Sequence, residues 1–331
     1  MHRLVPESLR GLGAILMFHH VRPASNEAFQ PNRLLEITPG FLDEVLRLLG
    51  RLDYDIVSLD EAVRRIRAGD HRRRFAVLTF DDGYRDNALH AAPILARHQA
   101  PYTIFVTAGF AERTARLWWV ELETAIRRSR NIELEVGGDT LRLPCTSIAD
   151  KQLAWTAIYS RLRLGSEDQL GAAMDRLCDQ AGIDRPGLVA SLCLDWPELR
   201  RLAAEPLASF GAHTLTHPRL AKLPEAAQRH EIEASRSVIE AELERPVRHL
   251  AYPIGDRTSA GPREFATAQD LGFEAAVTTR PGLLFAEHAR HLTALPRLSI
   301  NGLWQRSRHV EVLLSGAAYA LWNRGRRVDA A

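Results

Sequence analysis

The chain has 331 residues, enough for one large domain or two ordinary ones with a substantial core. Apolar residues make up 46% and charged residues 25%, and the net charge is +2, so composition excludes a fibrous or disordered chain and gives no reason to expect nucleic acid or an acidic partner. Cys145, Cys178 and Cys193 are odd in number and far apart, which suits a reducing compartment and forms no metal-ligand pattern.

Ala14 to Phe18 reads as a buried strand that runs into His19-His20. The apolar run it belongs to, Gly11 to Phe18, is short and lacks a small-residue cleavage site. It does not read as an export signal, and a cytoplasmic location is expected. No segment reaches the roughly 18–20 apolar residues that span a bilayer. Thr38-Pro39 starts a helix carrying Leu42, Val45, Leu46 and Leu49 on one face. Asp55 to Leu59 is a second strand and Asp60 to Ala68 a short amphipathic helix. Phe75 to Phe80 is a third strand, with a helix from about Asp86 to His98 and a fourth strand at Tyr102 to Val106.

From 112 to 205 the rhythm changes, and this stretch reads as a mainly helical insertion. Leu117 to Arg128, Ile148 to Leu164 and Glu167 to Ala181 are helical, and a hairpin turns at Gly137-Gly138-Asp139. Strands then return at Leu207 to Ala212, Arg248 to Tyr252 and Phe273 to Thr278, with helices Glu225–Leu243 and Pro262–Leu271 between them. A last strand is expected at Leu295 to Ile300. Residues 305–331 read as a C-terminal helix and basic tail: Val310 to Trp322 is mostly apolar, and Arg324, Arg326 and Arg327 follow. Packing on the core is the plainer role for that helix, and a weak membrane-surface contact the sharper one. The whole, 1–331, is one α/β domain whose seven or so strand–helix units favour a closed or distorted barrel, with reactive residues at the strand ends.

Asp81-Asp82 stands directly after an apolar strand. Two neighbouring carboxylates there repel and lose solvation, so a cation or a proton must offset the cost. An exposed Asp-Asp-Gly turn is the alternative. His213 and His217 follow another strand and precede Pro218. Two neutral imidazoles and one carboxylate hold zinc with an open position, so Asp82, His213 and His217 could meet at one barrel rim. His19 or His20 could donate a proton at the end of the first strand. Arg297 could pair with a carboxylate or lie on the surface. Trp118, Trp119, Trp196 and Tyr252 could stack on sugar rings or simply pack in the core.

Taken together, these residues resemble a known family. Thr79-Phe80-Asp81-Asp82-Gly83-Tyr84 is similar to the first signature of the polysaccharide deacetylases, the NodB-homology superfamily of carbohydrate esterases. His213-Thr214-Leu215-Thr216-His217 resembles its second, and Ala251-Tyr252-Pro253-Ile254-Gly255 its third. The resemblance covers about 14–110 and 205–300. It implies a distorted (β/α)7-type barrel and a divalent metal, Zn2+ or another divalent ion, bound by Asp82, His213 and His217. It makes Asp81 the general base. Two departures stand out: Ala251 occupies the place of an arginine that orients the base, and the late histidine motif is replaced by Leu295-Pro296-Arg297-Leu298-Ser299. Both resemble a branch that includes poly-N-acetylglucosamine deacetylases, where a histidine on the first strand is the acid. On that pattern His19 is the acid and Arg297 replaces the missing arginine. Tyr84, Tyr252, Pro253, Trp118 and Trp119 are the candidates for contact with substrate.

The expected activity is removal of N-acetyl groups from a GlcNAc-containing saccharide such as a chitooligosaccharide, free or lipid-linked. The alternatives are another amide hydrolysis, on a formylated amino sugar or a small cyclic amide, and a non-catalytic carbohydrate-binding protein. Action near the inner membrane face, through the C-terminal helix, is a further expectation.

Overall fold

The structure, a computed structural model, describes residues 6–330. All six residues of β1 (Gly13–Phe18) are buried, as a strand covered on both faces requires. A two-residue strand, β2 (His20–Val21), pairs with β3 (Glu36–Ile37). Helix α1 (Pro39–Arg51) begins with Thr38 accepting the Phe41 amide, and α2 (Leu59–Ala68) with Ser58 accepting the Glu61 amide. Between them β4 is only Asp55–Ile56, shorter than the expected Asp55 to Leu59, because Ser58 caps the next helix there. Then come β5 (Phe75–Phe80), a π-helical segment Asn87–Ala91 leading into α3 (Ala92–Arg97), β6 (Tyr102–Val106) and α4 (Ala108–Ala111).

The inserted region follows: α5 (Trp118–Arg128), the antiparallel hairpin β7 (Asn131–Val136) and β8 (Asp139–Pro144), α6 (Ile148–Leu164), α7 (Glu167–Ala181) and α8 (Arg185–Leu192). These elements bury their own apolar cluster, including Leu122, Trp155, Ile158, Met174 and Leu177. Helix α9 (Trp196–Ala203) instead joins the main core through Leu199 and Leu202. The alternation resumes with β9 (Ala208–Ala212), α10 (Glu225–Leu243), β10 (His249–Ala251), α11 (Pro262–Asp270), β11 (Ala275–Pro281) and β12 (Leu295–Ser299).

Seven parallel strands close into a barrel in the order β1, β12, β11, β10, β9, β6, β5 and back to β1. β4 stays outside the ring. It pairs with Phe75 and Ala76 at the start of β5, while β6 takes Leu78 to Phe80 along the same strand. The closing β1–β5 seam is the longest register, running from Gly13↔Phe75 to Phe18↔Phe80.

The expected single C-terminal helix is two: α12 (Ser307–Leu314) and α13 (Ala317–Trp322). Gly316 breaks it with a φ of +79°, and a Cβ there would meet the Leu9 carbonyl oxygen at 1.9 Å. Val310, Leu314 and Tyr319 pack on the core. Among the described residues, no helix is long and apolar enough to cross a membrane. All three cysteines are buried and free.

Candidate active site

Strand alternation builds the site. With a period of two, side chains of Ile15, Met17 and His19 share one face of the first strand and its extension. Val77, Thr79 and Asp81 do the same along β5 and its extension, and Leu295, Arg297 and Ser299 along β12. The lower members join one apolar cluster inside the barrel, including Ile15, Val77, Phe105, Val277 and Leu295. Above it, Met17, His19, Asp81, Asp82, His213, His217 and Ser299 line a cavity of about 420 Å³.

Arg297 is wholly buried, and its two terminal nitrogens donate to the two carboxylate oxygens of Asp81 at 2.7 Å each. Its Nε donates to the Thr278 carbonyl at 2.8 Å, and Nη1 also reaches the Thr79 hydroxyl at 3.2 Å. This two-pronged contact is the strong form of an ion pair and fixes the plane of the carboxylate. Burial alone would push Asp81 up, but the Arg297 charge and its hydrogen bonds outweigh it and hold the carboxyl below its ordinary value.

Asp82 turns the other way because its backbone is left-handed, with a φ of +72°. Its Oδ1 stands 3.4 Å from His213 Nε2 and 3.3 Å from His217 Nε2. The three groups can offer ligand atoms that all lie within 4.8 Å of one another. Oδ1 is buried and accepts no hydrogen bond, a condition that costs free energy unless a cation satisfies it. Ligands about 2.1 Å from a tetrahedral ion stand roughly 3.4 Å apart, so the set fits a divalent metal. His213 Nδ1 is 2.8 Å from the Ala251 carbonyl. Donation to that oxygen fixes the tautomer and leaves Nε2 free to bind. Burial pushes His217 down to about 4, keeping it neutral. Burial also opposes charge on His213, but the adjacent Asp82 and Asp81 carboxylates together raise its pKa, so a proton would compete with a cation for this nitrogen.

The histidine loop is held from several sides. Glu231 accepts the amides of Leu215 and Thr216, Thr214 Oγ1 accepts the His217 amide, and Thr107 Oγ1 donates to the His213 carbonyl. Thr214 and His217 have φ values of +65° and +62°. Backbone strain in this loop is thus maintained by surrounding bonds.

The structure separates the two candidate acids. His19 reaches into the cavity, its Nε2 4.0 Å from Asp81 Oδ2. Burial outweighs the attraction of Asp81 and Asp82 and lowers its pKa. His20 is turned away, its Nδ1 against Asp86 and its ring stacked on Tyr84.

Trp118 and Trp119 line the cavity, as does Asn32 from the segment before β3. Tyr84, Tyr252 and Pro253 are not brought to its wall. Tyr84 is fully buried against His20; Tyr252 is also buried and donates to the Thr293 carbonyl. Trp196 packs in the barrel's outer core. Sequence reasoning missed Trp155 and Tyr159, which stack on each other and complete the aromatic wall. Their spacing of four on a predicted helix was the available signal.

The family model for polysaccharide deacetylases matches residues 68–276. The chain belongs to the polysaccharide deacetylase family. The match includes Asp81, Asp82, His213 and His217 but ends short of His19 on one side and Arg297 on the other. No curated protein matches this family member. Among solved structures it is similar to the Streptococcus pyogenes deacetylase PplD in complex with acetate, with a TM-score of 0.59 and 19% identity over 90% of this chain and 96% of that one. It is also similar to IcaB from Ammonifex degensii, with a TM-score of 0.56 and 16% identity over 92% and 97% of the two chains. A de-N-acetylase from Aggregatibacter actinomycetemcomitans gives 0.56 and 13% over 90% and 99%. At such identities the likeness speaks to the fold of this deacetylase-family chain.

Proposed function

We propose that this chain hydrolyses the N-acetyl group of a GlcNAc-containing saccharide, with a divalent metal, zinc being the expected ion. The observation that carries the reading is Asp81, clamped by Arg297 at 2.7 Å on both oxygens, beside an Asp–His–His set with an unsatisfied acceptor. A cation held by Asp82, His213 and His217 would acidify water and polarise the amide carbonyl. Asp81 accepts the proton of the attacking water. Arg297 keeps it ionised for that task despite full burial. His19, its Nε2 4.0 Å from Asp81 Oδ2 on the cavity lining, supplies a proton to the departing nitrogen as the C–N bond breaks, so acetate and a free amine are released. Trp118, Trp155 and Tyr159 offer apolar faces to the sugar ring.

The test is acetate release from chitooligosaccharides, with and without chelator. Activity that is lost to chelator and restored by zinc is the expected result, and Asp81→Asn should lower kcat by roughly 10²–10⁴-fold while metal content is retained. Bound metal with no acetate released from any N-acetylated sugar would sink the proposal and favour a different amide.

A further inference from the structure

The rim of the cavity carries a feature that chemistry on a soluble sugar does not need. Leu34, which lines the cavity, is 44% exposed; Leu303 and Trp304, on the loop after β12, are 47% and 63% exposed. The two loops are one surface. The Gly302 amide donates to the Leu34 carbonyl, and Gln305 Oε1 accepts both the amide and the hydroxyl of Thr38. A Cβ at Gly302 would meet the Arg33 carbonyl oxygen at 2.1 Å, so the chains touch there. Arg33 and Arg306 flank the apolar trio, are exposed, and form no ion pair among the described residues. The carboxylate nearest Arg33 in sequence, Glu36, is already engaged by Arg22.

Leucine side chains have nothing to offer a sugar hydroxyl, and large apolar side chains held in water at a cavity mouth mark a contact surface. An exposed tryptophan beside aliphatic residues, with unpaired arginines at the edge, is the composition that settles into a headgroup layer. We propose that this rim seats the cavity mouth on an anionic lipid surface, so that the saccharide is taken from a membrane. The lipid contact stands on the rim alone; the identity of what is taken rests on the function proposed above. The contact is placed on the loops beside Leu34 and Trp304, and not on the C-terminal helices.

The test is flotation of the full chain with phosphatidylcholine vesicles, with or without phosphatidylglycerol. Binding should require phosphatidylglycerol and weaken as salt rises. Arg33→Gln and Arg306→Gln should each weaken it about fivefold, and Trp304→Ser roughly tenfold. Leu321→Ser with Trp322→Ser, on α13, should leave it unchanged. Equal binding to both vesicle types overturns the proposal. So does wild-type binding by the rim variants, or loss of binding in the α13 variant alone. A Trp304→Ser variant that binds vesicles normally but has a raised KM for soluble oligosaccharide would also overturn it, and would make the rim a sugar platform. Vesicle binding needs no turnover, so failure to release acetate would leave the rim standing and remove only the activity.

Discussion

Arg297 does at Asp81 what no neighbour in sequence does. Removing it leaves a fully buried carboxylate whose burial is opposed only by the weaker influence of His213 and His19, so its pKa must rise. In Arg297→Ala the acid limb of kcat/KM should therefore move to higher pH, and kcat at neutral pH should fall roughly 10²–10³-fold. Arg297→Lys should recover part of the rate and little of the pH shift, because a single ammonium cannot hold both oxygens. A pH–rate profile of the three proteins checks this, and an unmoved acid limb in Arg297→Ala would show that Asp81 is not the titrating base. The candidate metal ligands were readable as residues, since Asp82, His213 and His217 all follow predicted strands. The Asp81–Arg297 pair was legible only as an expectation. Its partners are 216 positions apart, and nothing in the local pattern around Pro296 says which way the arginine faces.

At the scale of elements, α6 ties the inserted region to the chemistry. Trp155 and Tyr159 stack with ring centroids 5.3 Å apart, and Tyr159 leans on Trp118 at 5.2 Å. Tyr159→Ala should raise KM for an oligosaccharide about fivefold with kcat little changed. Steady-state kinetics, with a melting curve to confirm folding, decide it; an equal fall in kcat and unchanged KM would place Tyr159 outside the substrate contact. Helix α6 itself was read from the sequence with the bounds it has, Ile148–Leu164. Which of its faces meets the barrel was not, because that depends on how the insertion docks. The segment before β3 was missed for a related reason. Asn32, Leu34 and Leu35 have no periodicity to betray them, and they become cavity wall only once the β2–β3 pairing and the Gly302 contact fold the loop inward.

At the scale of the whole molecule, stability depends on groups buried in their neutral form. His288 is not part of the cavity lining and is completely buried, its Nδ1 accepting the Phe285 amide at 3.0 Å. Burial drives its pKa down to about 4 from 6.5. Because the folded value is the lower one, the unfolded chain binds the proton first. The contribution is fully present above pH 6.5 and drains away as pH falls toward 4, on the order of 3 kcal/mol in total. His288→Gln cannot titrate, so the stability gap between wild type and variant should narrow by that amount between pH 7 and 4. Urea unfolding at several pH values measures it, and a constant gap would show that His288 takes up its proton alike in the folded and unfolded chain.

Barrel closure has a further consequence, in the timing of synthesis. β12 completes the ring, pairing Leu16 with Leu298, and it is the strand that carries Arg297. A growing chain makes His19, Asp81, Asp82, His213 and His217 before it makes the arginine that keeps Asp81 charged. Until that strand emerges and docks, Asp81 has either water or a proton for company, and the assembled histidines face a wall that does not yet exist. An Asp81 clamped on both oxygens is thus absent from every nascent chain whose last strand has yet to dock.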